Sequence, residues 1–135
     1  MRIAFGTDET SGLTDTIKRE LEARGHEVVI AGEDEPWPDV GRRVGELVAG
    51  GDVARGVVCC WTGTGVSIAA NKVAGARAAL CTDAETVRGA RRWNDANVLA
   101  LSLRLTSAEV AKEMLDAFLS TDADPAEGDE IAKLQ

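Results

Sequence analysis

The chain has 135 residues, 44% of them hydrophobic and 28% charged, a globular composition at a length that suits one domain around one core. Its net charge of −8 repels nucleic-acid phosphates and anionic membrane surfaces, and no apolar run approaches the roughly 20 residues of a membrane span, so neither nucleic acid nor membrane is expected as a partner. Three cysteines, two of them adjacent and none in C-x-x-C or Cys/His spacing, argue against a disulfide framework or a metal site. Because the first residues enter a strand pattern directly, without a secretory apolar region, a cytoplasmic protein with reduced thiols is expected.

In chain order, residues 2–6 read as a strand. Residues 13–24, with Leu13, Ile17 and Leu21 at fourfold spacing, read as an amphipathic helix ended by Gly25. A strand at 26–30 precedes a polar, proline-punctuated loop at 32–38, and a helix at 39–49 stops at Gly50-Gly51. The apolar run Val57-Val58-Cys59-Cys60 suits a central strand covered on both faces. A helix start at 67–72, a strand at 77–81, a helix at 83–93, a strand at 97–102 and a Ser-capped helix at 107–119 complete the pattern. The expectation is a three-layer α/β/α, Rossmann-like doubly wound sheet of about five parallel strands in a single domain over residues 1–119, followed by an acidic tail at 120–135. In such sheets ligands bind beyond the carboxyl ends of the strands, which nominates Thr7-Asp8-Glu9, the Trp37 region, residues 60–67, Thr82-Asp83 and Arg104.

In Cys60-Trp61-Thr62-Gly63-Thr64-Gly65-Val66-Ser67, glycines let backbone N–H groups approach a ligand, and the helix that follows adds partial positive charge. A phosphate, a carboxylate or an enediolate oxyanion would be stabilised there. The segment lacks the third glycine of a dinucleotide fingerprint and the Lys-Ser/Thr ending of a P-loop, so no cofactor is expected. Cys60 ends the strand beside that helix start, where a thiol can serve as a proton-transferring base; alternation puts Cys59 on the other face, so only one of the pair is expected to function. The alternative is that both are small buried hydrophobes.

The stretch Cys60-x-Thr62-Gly63-x-Gly65-x-Ser67-Ile68-Ala69-Ala70-Asn71-Lys72, with Arg77-Ala78, Cys81, Asn94-Asp95-x-Asn97-Val98-Leu99, Arg104, Ile3-Ala4-x-Gly6-x-Asp8 and Pro38-Asp39, resembles the ribose-5-phosphate isomerase B/galactose-6-phosphate isomerase family, which includes the lactose-operon isomerases. The resemblance covers nearly the whole chain. It implies a metal-free aldose–ketose isomerase working through a cis-enediolate, with Cys60 as base and Thr62 beside it. It further implies that the backbone of Gly63, Thr64, Gly65, Val66 and Ser67 holds the enediolate, Asn94 binds a sugar oxygen and Asp8 orients a hydroxyl. Family members are homodimers with active sites between subunits.

The chain departs from that pattern in ways that bear on substrate. Its single histidine, His26, lies between helix and strand, while Trp93 stands where the family has its ring-opening histidine, Glu9 where a second histidine follows Asp8, and Trp37 where a tyrosine precedes Pro-Asp. Val66 stands where some relatives carry a glutamate base. The basic tail that binds phosphate in the family is replaced by Ala126-Glu127-Gly128-Asp129-Glu130-Ile131, leaving Arg104. The substrate expected is therefore a sugar or sugar phosphate of unusual kind, with Trp37, Trp61 and Trp93 in or beside the site loops as stacking walls and Glu9 as an acid for ring opening. A non-catalytic small-molecule-binding paralogue of the same fold is the competing reading.

Overall fold

Alternation along the apolar strands sends large side chains to one side of the sheet and small ones to the other, and the two layers differ accordingly. In a computed structural model describing residues 1–134 the chain runs β1 (Arg2–Thr7), α1 (Gly12–Ala23), β2 (Glu27–Glu33), α2 (Trp37–Ala49), β3 (Arg55–Cys60), α3 (Thr64–Asn71), β4 (Ala78–Leu80), α4 (Ala84–Asn94), β5 (Val98–Ser102) and α5 (Ala108–Ser120). A 3-10 turn (Pro125–Glu127) and a short helix α6 (Gly128–Ile131) follow. The five strands form one parallel sheet in the order β2-β1-β3-β5-β4, the three-layer architecture expected.

Ile3, Phe5, Val57, Cys59, Leu99 and Leu101 face α1, α4 and α5, where Ile17, Leu21, Met114, Leu115 and Phe118 complete a bulky core. Ala4, Val58, Cys60, Val98 and Ala100 face α2 and α3 across a layer of Val40, Val44, Val66 and Ala70. Small residues bring these two helices close. A Cβ on Gly56 would lie 2.4 Å from Val44 Cγ1, and one on Gly41 would lie 2.7 Å from both Ala69 Cβ and the Val66 carbonyl.

Several boundaries differ from the sequence reading. The loop expected at 32–38 is shorter, because β2 continues to Glu33 and Trp37 opens α2; Pro38 suits a first helical turn, where its fixed φ fits and its missing N–H would have had no partner. The helix expected from Ser67 opens at Thr64, since Gly63 adopts a left-handed φ of 79° that turns the chain directly out of the strand. Residues 120–134 are tied to the body: the Arg91 Nε donates to the Thr121 carbonyl at 2.9 Å, and the Asp124 N–H to the Arg92 carbonyl at 2.8 Å. Among the described residues no helix is long and apolar enough to cross a membrane.

Gly41→Ala forces α2 away from the first turns of α3. It is expected to destabilise the protein by about 1–3 kcal/mol in urea unfolding, whereas Gly12→Ala, where a Cβ meets nothing within 4 Å, is expected to be close to neutral.

Candidate active site

The connections from β1 and β3 leave in opposite directions along the sheet, so their carboxyl ends part and open a crevice at the topological switch point. Asp8 follows β1 and Cys60 ends β3. Thr7 pairs with Cys59, and the Asp8 N–H reaches the Cys59 carbonyl at 3.3 Å, so the carboxylate-bearing turn begins level with the cysteines. Cys59 points into the bulky core, where burial raises its thiol pKa well above the ordinary value. Cys81, just past β4, is pushed up to about 11 by burial and then by Asp83. Cys60 faces the small-residue layer and is 5% exposed, at the mouth of the crevice. The opposite orientations expected of the pair are observed.

Beyond Cys60 the chain turns into the start of α3, the segment expected to hold an anion. Gly63 caps α3 in the left-handed conformation with no side chain of its own, the Thr64 N–H donates to the Thr62 hydroxyl at 3.5 Å, and Ser67 is the first residue of the helix whose N–H finds a backbone carbonyl, that of Gly63 at 3.3 Å. The N–H groups of Gly65 and Val66 therefore remain for a ligand, at the positive end of the helix. Thr62 and Thr64 join their hydroxyls at 2.7 Å beside it. Val66 has a fully buried side chain and can offer only backbone; Ser67 is half-buried. A Cβ on Gly63 would collide with Leu80 and with the Leu101 backbone, and one on Gly65 would lie 2.8 Å from Trp37 Cδ2 and Cε3. Both glycines are thus required by contact, and the Trp37 indole lies over the first turn of α3. Trp61 projects beside it, 59% exposed.

The electrostatics centre on Asp8. Its Oδ1 is buried without a hydrogen-bond partner, and burial, followed by the charge of Glu9, raises its pKa above the usual carboxylate range. An acceptor left in that state is a place for a donor from outside the chain. Glu9 itself is exposed, with its backbone N–H and carbonyl both tied to the Thr7 hydroxyl. Arg104 is exposed on the turn after β5 and, among the described residues, makes no ion pair. Two polar residues at this edge escaped the sequence reading: Ser102, whose hydroxyl bonds the Trp61 carbonyl, and Thr106, whose buried hydroxyl has no partner. Their only sequence signal is a hydroxyl amid apolar neighbours.

Trp93 and Asn94 do not join this cluster. They end α4, which runs antiparallel to the strands and delivers its carboxyl end to the start of β5, so the expectation that all three tryptophans stand at the site loops fails for Trp93 within one chain. The Trp93 ring lies across Gly89 of its own helix and is 58% exposed, on a groove of about 480 Å³ that also involves Leu80, Cys81 and Asn94. Other residues of the resemblance are structural. Asn71 exchanges hydrogen bonds with both backbone groups of Ala78 on the edge strand, and Asn97 accepts from the Arg77 N–H and donates to the Gly75 carbonyl. Asp95, in the left-handed region at φ 47°, joins Arg77 to the buried Arg91. Arg91 is thus held inside the fold at the end of α4. His26 lies at the amino-terminal end of β2, its Nδ1 3.0 Å from the chain's amino group.

The sequence model of the family described as "Ribose/Galactose Isomerase" matches residues 3–134. Ribose-5-phosphate isomerase B of Escherichia coli K12 is 42% identical over 123 residues, spanning 87% of this chain and 83% of that protein. D-erythrulose-4-phosphate isomerase of Pectobacterium atrosepticum is 37% identical over 128 residues, spanning 90% of this chain and 84% of that protein. The solved structure of Clostridium thermocellum ribose-5-phosphate isomerase B matches with a TM-score of 0.93 at 37% identity, over 98% of this chain and 94% of that one. Sequence and fold agree across nearly the whole described chain: it belongs to the ribose/galactose isomerase family.

Proposed function

We propose that the protein is an aldose–ketose isomerase of the ribose-5-phosphate isomerase B type, working through a cis-enediolate with Cys60 as its base. The observation that carries this reading is the convergence on one crevice of a thiol, a buried unpaired carboxylate oxygen and the unbonded N–H groups of Gly65 and Val66. The Cys60 sulfur, as thiolate, takes the C2 proton of the open-chain aldose while the C1=O electrons move onto O1. Within the 63–67 backbone, the free N–H groups of Gly65 and Val66 stabilise that oxygen, with the Thr62 hydroxyl beside them. A proton passes from O2 to O1 with Asp8 holding the hydroxyl, and Cys60 returns its proton to C1, leaving the ketose with no net gain or loss of electrons. Glu9 is the residue assigned to opening the sugar ring.

The substrate side of the proposal is a non-standard, non-phosphorylated sugar. Trp37 and Trp61 offer apolar faces to C–H surfaces, Arg104 is the one cation of this edge that the resemblance nominates, and the tail carries Glu127, Asp129 and Glu130. Relatives whose names specify ribose 5-phosphate and D-erythrulose 4-phosphate show that substrate varies on this scaffold. The active unit proposed is a cytoplasmic homodimer, because Trp93 and Asn94, at the opposite end of the sheet, can meet a Cys60 crevice only from a second copy. The loss of the family histidines favours one other reading, a paralogue that binds without turnover.

In deuterated water with free and phosphorylated aldoses, label is expected at C2 of at least one sugar, and Cys60→Ala is expected to slow its incorporation by about 100-fold or more. Binding across the panel with no label in any sugar would select the paralogue instead. Asp8→Asn separates function from stability. The folded chain holds the Asp8 proton more tightly than the unfolded chain, so Asp8 favours folding in acid and loses that contribution as pH rises through its raised pKa. The variant is therefore expected to melt higher than wild type at pH 7 while exchanging more slowly, with the thermal gain shrinking as pH falls; a lower melting midpoint at pH 7 would contradict the assignment.

A further inference from the structure

Regular strand geometry sends successive carbonyls to opposite neighbours, and β3 obeys this rule through its last residue, Cys60. The Cys59 carbonyl turns toward β1, where it accepts the Asp8 N–H at 3.3 Å, and the Cys60 carbonyl turns toward β5, where it accepts the Leu103 N–H at 3.0 Å. The next carbonyl, of Trp61, should face β1 again. Instead it also faces β5, accepting the Arg104 N–H at 3.0 Å and the Ser102 hydroxyl at 3.0 Å. Ser102 is 1% exposed, stands opposite Cys60 in the strand register, and its oxygen accepts the Leu105 N–H at 3.1 Å. One buried hydroxyl thus bridges the turn after β5 to the peptide that follows the base.

The consequence lies on the other side of that peptide. In a trans peptide the N–H points opposite to the carbonyl, so fixing the Trp61 oxygen against β5 turns the Thr62 N–H away from β5, to the side on which β1 and Asp8 stand. Among the described residues no acceptor pairs with that N–H. We propose that Ser102 is a positioning residue for isomerisation: its hydroxyl holds the Trp61–Thr62 peptide reversed relative to the strand, which presents the Thr62 N–H to the developing enediolate next to Cys60. The same bonds fix the backbone of Arg104, so the turn carrying the arginine and the turn carrying the base keep one spacing. Ser102 does not touch substrate; it acts through a donor whose direction matters most when charge accumulates on the sugar oxygen, and so bears on turnover more than on binding.

This inference rests on the isomerase reading above, and its test is built to separate the two. The full-length protein is assayed in deuterated water with D-ribose, D-galactose and their terminal phosphates as probes, beside Cys60→Ala. Ser102→Ala is expected to lower turnover for C2 exchange about 10-fold or more while KM stays within about twofold of wild type, because a freed peptide still binds sugar but no longer aims its donor. Wild-type turnover in Ser102→Ala, or a loss matched by an equal rise in KM, overturns the role of Ser102 and leaves the isomerase standing if Cys60→Ala is inactive. A wild-type protein that labels no probe, or a Cys60→Ala variant as fast as wild type, removes the isomerase reading and the role of Ser102 with it.

Discussion

The site depends on how closely α3 can approach the sheet. Its amino terminus would supply the anion cradle, and it lies close to Cys60 over a sheet face that includes Ala100, with Gly41 and Gly45 letting α2 pack against it without a side chain between. A bulkier residue at any of these places would push the dipole and its free N–H groups away from the sulfur. The other face of the sheet bears no such constraint and is filled with Phe, Ile, Leu and Met, which supply most of the apolar burial. One layer is built mainly for stability and the other for proximity.

Within that frame the crevice keeps two unfavourable features that a merely stable domain would lose. Asp8 holds a buried oxygen without a partner, and the N–H groups of Gly65 and Val66 in the first turn of α3 have none either. Each has an unmet hydrogen-bonding need that, in the proposed function, a sugar hydroxyl or an enediolate oxygen would answer, one as acceptor and one as donor. Their placement on either side of Cys60 suits a reaction that moves a proton between neighbouring carbons while charge passes between neighbouring oxygens. Trp37, packed on Gly65, shields the cradle from one side and makes its glycine indispensable.

Much of this was legible in the sequence, for reasons that can be traced. Period-two alternation separates Cys59 from Cys60, and the strand-end rule gathers Asp8, the 60–67 loop and Arg104 on one edge from the sequence pattern alone. What escaped the sequence depended on direction. Trp93 and Asn94 read as site residues by motif, but a crossover helix returns its carboxyl end to the amino edge of the sheet, so one chain cannot bring them to Cys60. Asn71 and Asn97 belong to the same motifs yet hold the backbone around β4, where side-chain amides replace missing strand partners. Ser102 gave no signal beyond a hydroxyl amid apolar neighbours, because the part proposed for it follows from a carbonyl that turns against strand alternation, which no residue pattern announces.

The central claim is that one thiol of three does the chemistry, and chemical modification tests it most directly. Iodoacetamide followed by peptide mass mapping should label Cys60 ahead of the more deeply buried Cys59 and Cys81, should abolish C2 exchange in proportion to Cys60 labelling, and should be slowed by the sugar that exchanges. Undiminished exchange in protein fully alkylated at Cys60 would contradict the account.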